Sequence, residues 1–142
     1  MEQTCGVFFF NPDGKILICH VTNSGENTWS IPKGRRDNGE EVSHTASREL
    51  REETSLDIPA DRLIHIGEAS YRKQPRELVA YAYHSKSKLD TDTLKCDSIV
   101  KPKNGGRDFP EVDAYKFIDP SEAEKFIHHT QVTMLKKYLE LK

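Results

Sequence analysis

The length, composition and charge of the chain limit the classes of protein to which it can belong. With 142 residues, 21 Lys and Arg residues and 23 Asp and Glu residues, it has the most common size of one domain and a net charge of −2, which excludes the overall basic surface of a nucleic-acid-binding protein. Three widely spaced cysteines without a CxxC pair argue against a disulfide framework and a zinc site, so we expect a single domain over residues 1–142 in a reducing compartment.

The start of the chain predicts a β-hairpin and no export signal. Residues 1–6 lack the basic start and apolar run of a signal peptide, and no later segment approaches the ~20 apolar residues of a membrane-spanning helix. Residues 5–10 and 15–21 are aromatic and β-branched runs separated by Asn11-Pro12-Asp13-Gly14, which has strong turn chemistry. We expect a cytoplasmic protein, with the nucleus as the alternative, that has no membrane partner.

The middle of the chain predicts one amphipathic helix followed by more sheet. Good helix formers fill residues 41–54, where Val42, Ala46 and Leu50 recur every four residues and form one apolar stripe. This stripe predicts a helix that packs on a sheet or on another helix. The strands predicted after it are 63–70 and 78–84.

The last third of the chain predicts a long polar loop, a strand and a final helix. The loop between residues 85 and 110 is rich in lysine and in helix breakers, and loops of this length usually bind something or are disordered. Residues 112–118 return to strand character, Asp119-Pro120-Ser121-Glu122 has the residues of a helix start, and apolar residues within 134–139 predict a last helix. The order of elements favours an α/β or α+β fold with a mixed sheet between helices.

Three glutamates on the predicted helix indicate a metal site. Glu49, Glu52 and Glu53 stand at i, i+3 and i+4, so they share an arc of about 100° on one helix face. Like charges at these spacings destabilise a helix unless a cation lies among them, and oxygen ligands suit Mg²⁺ or Mn²⁺. The alternative is a solvated helix face with ion pairs, such as Arg48 with Glu52.

The complete string around these glutamates resembles the Nudix box. The box runs Gly, five residues, Glu, seven residues, Arg-Glu, an aliphatic residue, one residue, Glu-Glu, one residue, Gly and an aliphatic residue. Ser55 stands where the box has Gly, and the other specified positions match: Gly34, Glu40, Arg48, Glu49, Leu50, Glu52, Glu53 and Leu56. Serine there would cost about 1 kcal/mol at the helix end, where a left-handed residue is expected, and touches no ligand.

The resemblance implies an α-β-α sandwich and a hydrolase that uses Mg²⁺, with Mn²⁺ as the alternative. It implies that water attacks a phosphoanhydride and that Glu49, Glu52 and Glu53 bind the metal, together with the main-chain carbonyl of Lys33. Glu40 would act through water or pair with Arg48. The residues with implied catalytic roles are Arg48, Glu49, Glu52 and Glu111.

Glu111 is the candidate outside the box. It lies in Phe109-Pro110-Glu111-Val112-Asp113-Ala114-Tyr115, which resembles the Pro-Glu-aliphatic-Asp-x-aromatic segment in which many Nudix hydrolases carry a glutamate that reaches the metals. Either Glu111 or Glu52 could accept the proton of the attacking water. The alternative for Glu111 is an ordinary loop acid.

Positive charge next to the box indicates a substrate with several phosphates. Trp29-Ser30-Ile31-Pro32-Lys33-Gly34 resembles the entry to the box in family members that act on diadenosine polyphosphates, diphosphoinositol polyphosphates or capped RNA. The basic residues of 86–107 could cover such a substrate or could be solvated. The residues expected to bind the substrate are Lys33, Gly34, Arg35, Arg36 and Arg72.

Three functions remain open from the sequence. The first is hydrolysis of a dinucleoside polyphosphate or a diphosphoinositol polyphosphate by a monomer or homodimer. The second is hydrolysis of a nucleoside triphosphate or of capped RNA. The third is a non-catalytic nucleotide-binding domain, against which the complete carboxylate set argues.

Overall fold

The computed structural model describes residues 2–140 and contains a sheet, a two-stranded arm and two α-helices. Short 3₁₀ helices cover Ala60–Arg62, Thr91–Thr93 and Pro120–Lys125. The strands and α-helices are β1 Glu2–Phe10, β2 Ile16–Val21, β3 Trp29–Ser30, β4 Lys33–Arg35, α1 Val42–Thr54, β5 Ile64–Ser70, β6 Arg76–His84, β7 Ile99–Val100, β8 Phe109–Pro110, β9 Val112–Ile118 and α2 His129–Glu140. Within residues 2–140, no helix has the length and apolar character needed to cross a membrane.

The main sheet is mixed and has β1 at its centre. Its strand order is β3-β2-β1-β6-β5, with β4 also paired to β1 and β9 also paired to β2. β1 runs parallel to β6, from Glu2 beside Arg76 to Phe10 beside His84, and the other pairs are antiparallel. The predicted hairpin is confirmed as β1 and β2, and the side chain of Asn11 accepts hydrogen bonds from the main chain of the turn.

Two apolar clusters cover the two faces of the sheet. Alternate residues of β1 enter opposite clusters because successive strand side chains point to opposite faces. Phe8 and Phe10 pack in the cluster that contains Leu135 of α2, and Val7 and Phe9 pack in the cluster that contains Leu50 of α1. The predicted sandwich of helices around a mixed sheet is therefore confirmed.

Helix α1 begins and ends close to the predicted residues. Its first residue is Val42, and it ends at Ser55, which has φ 70° and ψ 5° and so lies in the left-handed region. The Ser55 amide donates to Arg51 O at 2.8 Å, and its hydroxyl donates to Lys95 O at 2.9 Å. Serine at this position therefore gains a hydrogen bond that glycine could not make.

Two segments differ from their predictions. Asp119 does cap a helical turn, accepting from the Ser121 amide at 3.0 Å, but the turn is a separate 3₁₀ helix, and α2 starts only at His129. The region expected to be a continuous loop contains the arm in which Ile99–Val100 pairs with Phe109–Pro110. Both segments are too short to show the periodicity on which the predictions rested.

Candidate active site

Three carboxylates from distant parts of the chain meet beside α1. Glu49 and Glu53 lie on neighbouring turns of the helix, and Glu111 is the single residue between β8 and β9. One oxygen from each lies within 4.8 Å of the other two. Glu49 is 7% exposed and Glu53 is 3% exposed, so their negative charge is concentrated away from water.

Burial and repulsion from neighbouring carboxylates disfavour the charged form of Glu49 and Glu53. Burial raises the pKa of Glu53 well above its usual value, and the carboxylates of Glu111 and Glu49 raise it further. The pKa of Glu49 is also raised, first by burial and then by the Glu52 carboxylate, against the opposing effect of Arg48. A cation among the carboxylates would remove this penalty.

The three donors fit a hard divalent cation. All are carboxylate oxygens, the ligands that Mg²⁺ and Mn²⁺ prefer. Oxygens on opposite sides of Mg²⁺ lie about 4.2 Å apart, given bonds of about 2.1 Å, which is close to the spread of Glu49, Glu53 and Glu111. Small side-chain movements would bring all three into contact with one ion.

The absence of a side chain at Gly34 allows Glu49 to take its position. A Cβ atom on Gly34 would lie 2.0 Å from Glu49 Cδ and 2.1 and 2.3 Å from its carboxylate oxygens. The neighbouring amide of Lys33 donates to Glu53 Oε1 at 3.3 Å. The backbone of β4 therefore lies directly against both helix carboxylates.

Arg48 connects the other acids of the helix and the loop before it. Its guanidinium nitrogens lie 2.8 Å from Glu40 Oε2, 2.9 Å from Glu49 Oε2 and 3.1 Å from Glu52 Oε1. They also donate to Arg35 O at 3.2 Å. The hydrogen bond from Arg48 lowers the pKa of Glu40 to about 2. Of the two roles that the resemblance implied for Glu40, the structure shows the pairing with Arg48. The ion pair of Arg48 with Glu52, named as part of the alternative interpretation, is also present, and Arg48 holds the buried Glu49 as well.

A cavity of about 650 Å³ opens between β3, the β5–β6 turn and the start of α2. Its walls combine aromatic rings with cationic side chains. The rings of Tyr71 and His128 lie next to each other there, with centroids 5.5 Å apart and planes inclined by 59°. The lining residues are Val21, Thr28, Trp29, Ser30, Lys33, Tyr71, Arg72, Lys73, Gln74, Arg76, His128, His129 and Gln131.

Lys33 joins this cavity to the acid cluster. It lines the large cavity and also a smaller one of about 180 Å³, whose wall contains Gly34 and Glu111. Gln131 supports the segment that carries Lys33, since its side chain accepts from the Ile31 amide at 3.2 Å and donates to Ser30 at 3.1 Å. A ligand could therefore lie in the large cavity with an anionic part directed at a cation held by the acids.

The remaining predicted site residues lie in different surroundings. Glu52 is held by Arg48 and is not part of the close cluster of Glu49, Glu53 and Glu111. Arg35 is exposed and lies 3.2 Å from Glu2. Arg36 donates to Gln3 at 2.8 Å and to Glu40 O at 2.9 Å. Arg72 is exposed on the wall of the large cavity. Roles for these side chains in substrate binding stay predictions.

Sequence reasoning did not identify several residues that surround the site. These residues are Tyr71, His128 and Gln131, which no local pattern in the sequence assigns to a site. Gln131 reaches Ser30 across about one hundred residues of chain because α2 folds back onto β3, and all three residues line the same cavity. The basic segment 86–107 contributes no residue to either cavity within the described part of the chain.

Comparison with known proteins agrees with this arrangement. The family model described as the NUDIX domain matches residues 2–138. An RNA pyrophosphohydrolase of Gluconobacter oxydans is 28% identical, over 81% of this chain and 69% of that protein, and one of Bartonella clarridgeiae is 23% identical, over 96% and 89%. The crystal structure of a C. elegans Ap4A hydrolase complex superposes with a TM-score of 0.71 and 17% identity, covering 99% of this chain and 97% of that one. At that identity, the likeness shows the fold.

Proposed function

This chain belongs to the Nudix family and is a Nudix hydrolase, and from that premise we propose that it is a Mg²⁺-dependent enzyme that cleaves a phosphoanhydride bond of a dinucleoside polyphosphate. The observation that carries the choice of substrate is the large cavity, whose walls offer aromatic faces together with cations. A nucleoside linked to a chain of phosphates has both the ring and the charge that such a wall would bind.

The acid cluster is the proposed metal centre. Glu49, Glu53 and Glu111 would hold Mg²⁺, which supplies polarisation of a phosphoryl oxygen and a lower pKa of bound water. Arg48 keeps Glu49 in place and balances its charge, so the ligand is oriented before a metal arrives. The buried position of the cluster would strengthen the attraction between a bound cation and a phosphate.

Two carboxylates remain candidates for the group that accepts the proton of the attacking water. Glu52 lies on the same helix face and is hydrogen-bonded by Arg48, and Glu111 belongs to the cluster itself. If Glu52 is the base, Glu52→Gln lowers kcat and leaves Mn²⁺ affinity nearly unchanged. If Glu111 is the base and a ligand, Glu111→Gln lowers both quantities.

The cations of the cavity wall would bind the phosphate chain. Lys33 borders both cavities and can contact a phosphate next to the metal, while Arg72 and Lys73 are exposed farther along the wall. Tyr71 and His128 would contact a base. An inositol ring lacks a flat aromatic face, so this wall favours a nucleotide over a diphosphoinositol polyphosphate.

A second candidate substrate is the 5′-triphosphate end of RNA. The two relatives named above as RNA pyrophosphohydrolases align with most of this chain. The same cavity could bind the first base of an RNA, with the phosphates directed at the metal. The net charge of −2 gives no general attraction for the rest of the strand, which places this candidate second.

A substrate panel tests the proposal. The protein is incubated with Mg²⁺ and diadenosine tetraphosphate, 5′-triphosphorylated RNA, capped RNA, nucleoside triphosphates or a diphosphoinositol polyphosphate, and products are separated by anion-exchange chromatography. Glu53→Gln serves as the inactive variant, and Glu68→Gln, which changes an exposed acid of β5, is its matched control.

Each outcome decides between the candidates. We expect diadenosine tetraphosphate to have the highest kcat/KM and Tyr71→Ala to raise KM for it more than it lowers kcat. Fastest cleavage of triphosphorylated RNA would favour the second candidate, and fastest cleavage of the inositol compound would contradict the argument from the aromatic wall. Binding of nucleotides without cleavage of any compound would mean that the domain is non-catalytic.

A further inference from the structure

The segment Lys95–Ser98 connects the end of α1 to Glu111. The last carbonyls of an α-helix have no partner within the helix, and here the segment supplies two. The Asp97 amide donates to Glu52 O at 2.7 Å, and the Lys95 amide donates to Thr54 O at 3.3 Å. We call residues 95–98 the connecting segment.

Two further hydrogen bonds join the last turn of α1 to the connecting segment and to β9. The Ser55 hydroxyl donates to Lys95 O at 2.9 Å, and the hydroxyl of Tyr115 on β9 donates to Glu53 O at 2.5 Å. The segment, β9 and the last turn of α1 are thus joined around the residue that carries one of the cluster carboxylates. Movement of the segment relative to α1 would break several hydrogen bonds together.

Ser98, the last residue of the connecting segment, contacts Glu111 in two ways. Its hydroxyl donates to Glu111 Oε2 at 2.6 Å, and its carbonyl accepts from the Glu111 amide at 2.9 Å. Ile99, which follows Ser98, pairs in the β7–β8 arm with Pro110, which precedes Glu111. Both the backbone and the carboxylate of Glu111 are therefore held by one serine.

We propose that Ser98 is a positioning residue that holds Glu111 towards Glu49 and Glu53. A glutamate side chain has three rotatable bonds and, in the connection between two strands, nothing in its own backbone fixes them. A short hydrogen bond to the ionised carboxylate selects one rotamer, since such bonds are stronger than neutral ones. It occupies one oxygen and leaves the other for the ion.

This inference rests on the proposed function, because it takes Glu111 as a metal ligand. It adds that hydrogen bonds support Glu111 through Ser98 and the connecting segment, as far as the C-terminal end of α1. The Ser98 hydroxyl holds Glu111, and the rest of the connecting segment is hydrogen-bonded to the helix that carries Glu49 and Glu53.

Metal binding in the absence of substrate tests the role of Ser98. Mn²⁺ affinity is measured by calorimetry for the parent, Ser98→Ala and Ser98→Thr, with Ser87→Ala as the control at an exposed serine of the preceding loop. We expect Ser98→Ala to bind Mn²⁺ 10- to 100-fold more weakly. Ser98→Thr keeps the hydroxyl and should stay within about threefold of the parent, as should Ser87→Ala.

A double-mutant cycle with Glu111→Gln shows whether Ser98 acts through Glu111. In the Glu111→Gln background, Ser98→Ala should have little further effect on Mn²⁺ affinity. Equal losses in both backgrounds, or parent-like affinity in Ser98→Ala, would overturn the proposal. If Ser98→Ala is unstable, Ser98→Cys, whose thiol is only a weak hydrogen-bond donor, takes its place in the cycle.

The result for the parent separates the two proposals. If the parent binds Mn²⁺ and Ser98→Ala binds it equally well, only the role of Ser98 is wrong. If the parent binds no Mn²⁺ or Mg²⁺, the metal centre of the proposed function is wrong, and the role of Ser98 is wrong with it.

Discussion

Replacing Gly34 by alanine tests the close approach of β4 to α1. The new Cβ atom would lie 2.0 Å from Glu49 Cδ, whereas non-bonded carbon atoms prefer about 3.5–4.0 Å. The carboxyl group would have to move by more than about 1 Å, because the backbone of β4 is fixed by its pairing with β1. Metal ligands tolerate displacements of about 0.2 Å, so Glu49 would no longer coordinate the ion.

The expected effect is larger on metal binding and catalysis than on folding. Glu49 can turn away, so Gly34→Ala should lower the free energy of unfolding by about 1–3 kcal/mol, as for other overpacked sites. Mn²⁺ affinity should fall at least tenfold, and kcat/KM by about 10², the typical effect of a 1 Å misplacement. Calorimetric Mn²⁺ titration and hydrolysis of the best substrate measure the two quantities, and circular dichroism verifies the fold.

Gly106→Ala is the matched control for the change from glycine to alanine. Gly106 lies in the exposed connection of the β7–β8 arm. A Cβ atom there meets nothing closer than Asn104 Oδ1 at 3.2 Å. It should leave metal affinity and turnover unchanged. If Gly34→Ala binds Mn²⁺ as tightly as the parent, Glu49 is not held as a ligand by this contact, and the reasoning is refuted.

Three further predictions concern the groups around the site. Arg48 lowers the folded-state pKa of Glu40 to about 2, so the stability that Glu40 contributes is present above its ordinary pKa of about 4.5 and is lost as pH falls towards 2. In thermal melts, the stability difference between Glu40→Gln and the parent should therefore shrink over that range. Ser55→Ala keeps the positive φ and loses the bond to Lys95 O, so urea unfolding should show a loss of about 1 kcal/mol, whereas Ser55→Gly should be nearly neutral. Hydrogen bonds, chiefly the one with the Asp113 carboxylate, raise the pKa of His20. The stability that protonated His20 contributes is therefore full below about pH 6.5 and is lost as pH rises through the raised pKa. The stability difference between His20→Gln and the parent should shrink at alkaline pH, and a constant difference would contradict this.

The box helix was predictable because local spacing determines it. Ala46 and Leu50 are buried and Val42 is partly buried against the same cluster, and the same period puts Glu49 and Glu53 beside each other. The sequence identifies Gly34 as a matching position of the box and as a candidate to bind the substrate. Its physical reason, the contact with Glu49, requires the packing of β4 on α1 and could not be read from spacing.

The surroundings of the box were less predictable because they depend on contacts between distant residues. Ser98 lies in a segment with no periodic pattern, and it reaches Glu111 only because the β7–β8 arm folds back. Similarly, Tyr71 and His128 meet across the cavity from separate elements. Such pairs leave no regular signal in one sequence, since tertiary packing brings them together.

The parallel pairing of β1 with β6 has a consequence for synthesis of the chain on the ribosome. Strand β1 carries the apolar run Val7–Phe10, and its partner Arg76–His84 is translated much later. At about 5–20 residues per second, the nascent chain displays this run for several seconds without its main partner. Early folding can reach the hairpin with β2, the short β4 and helix α1 but not β6, so aggregation competes with folding during this interval.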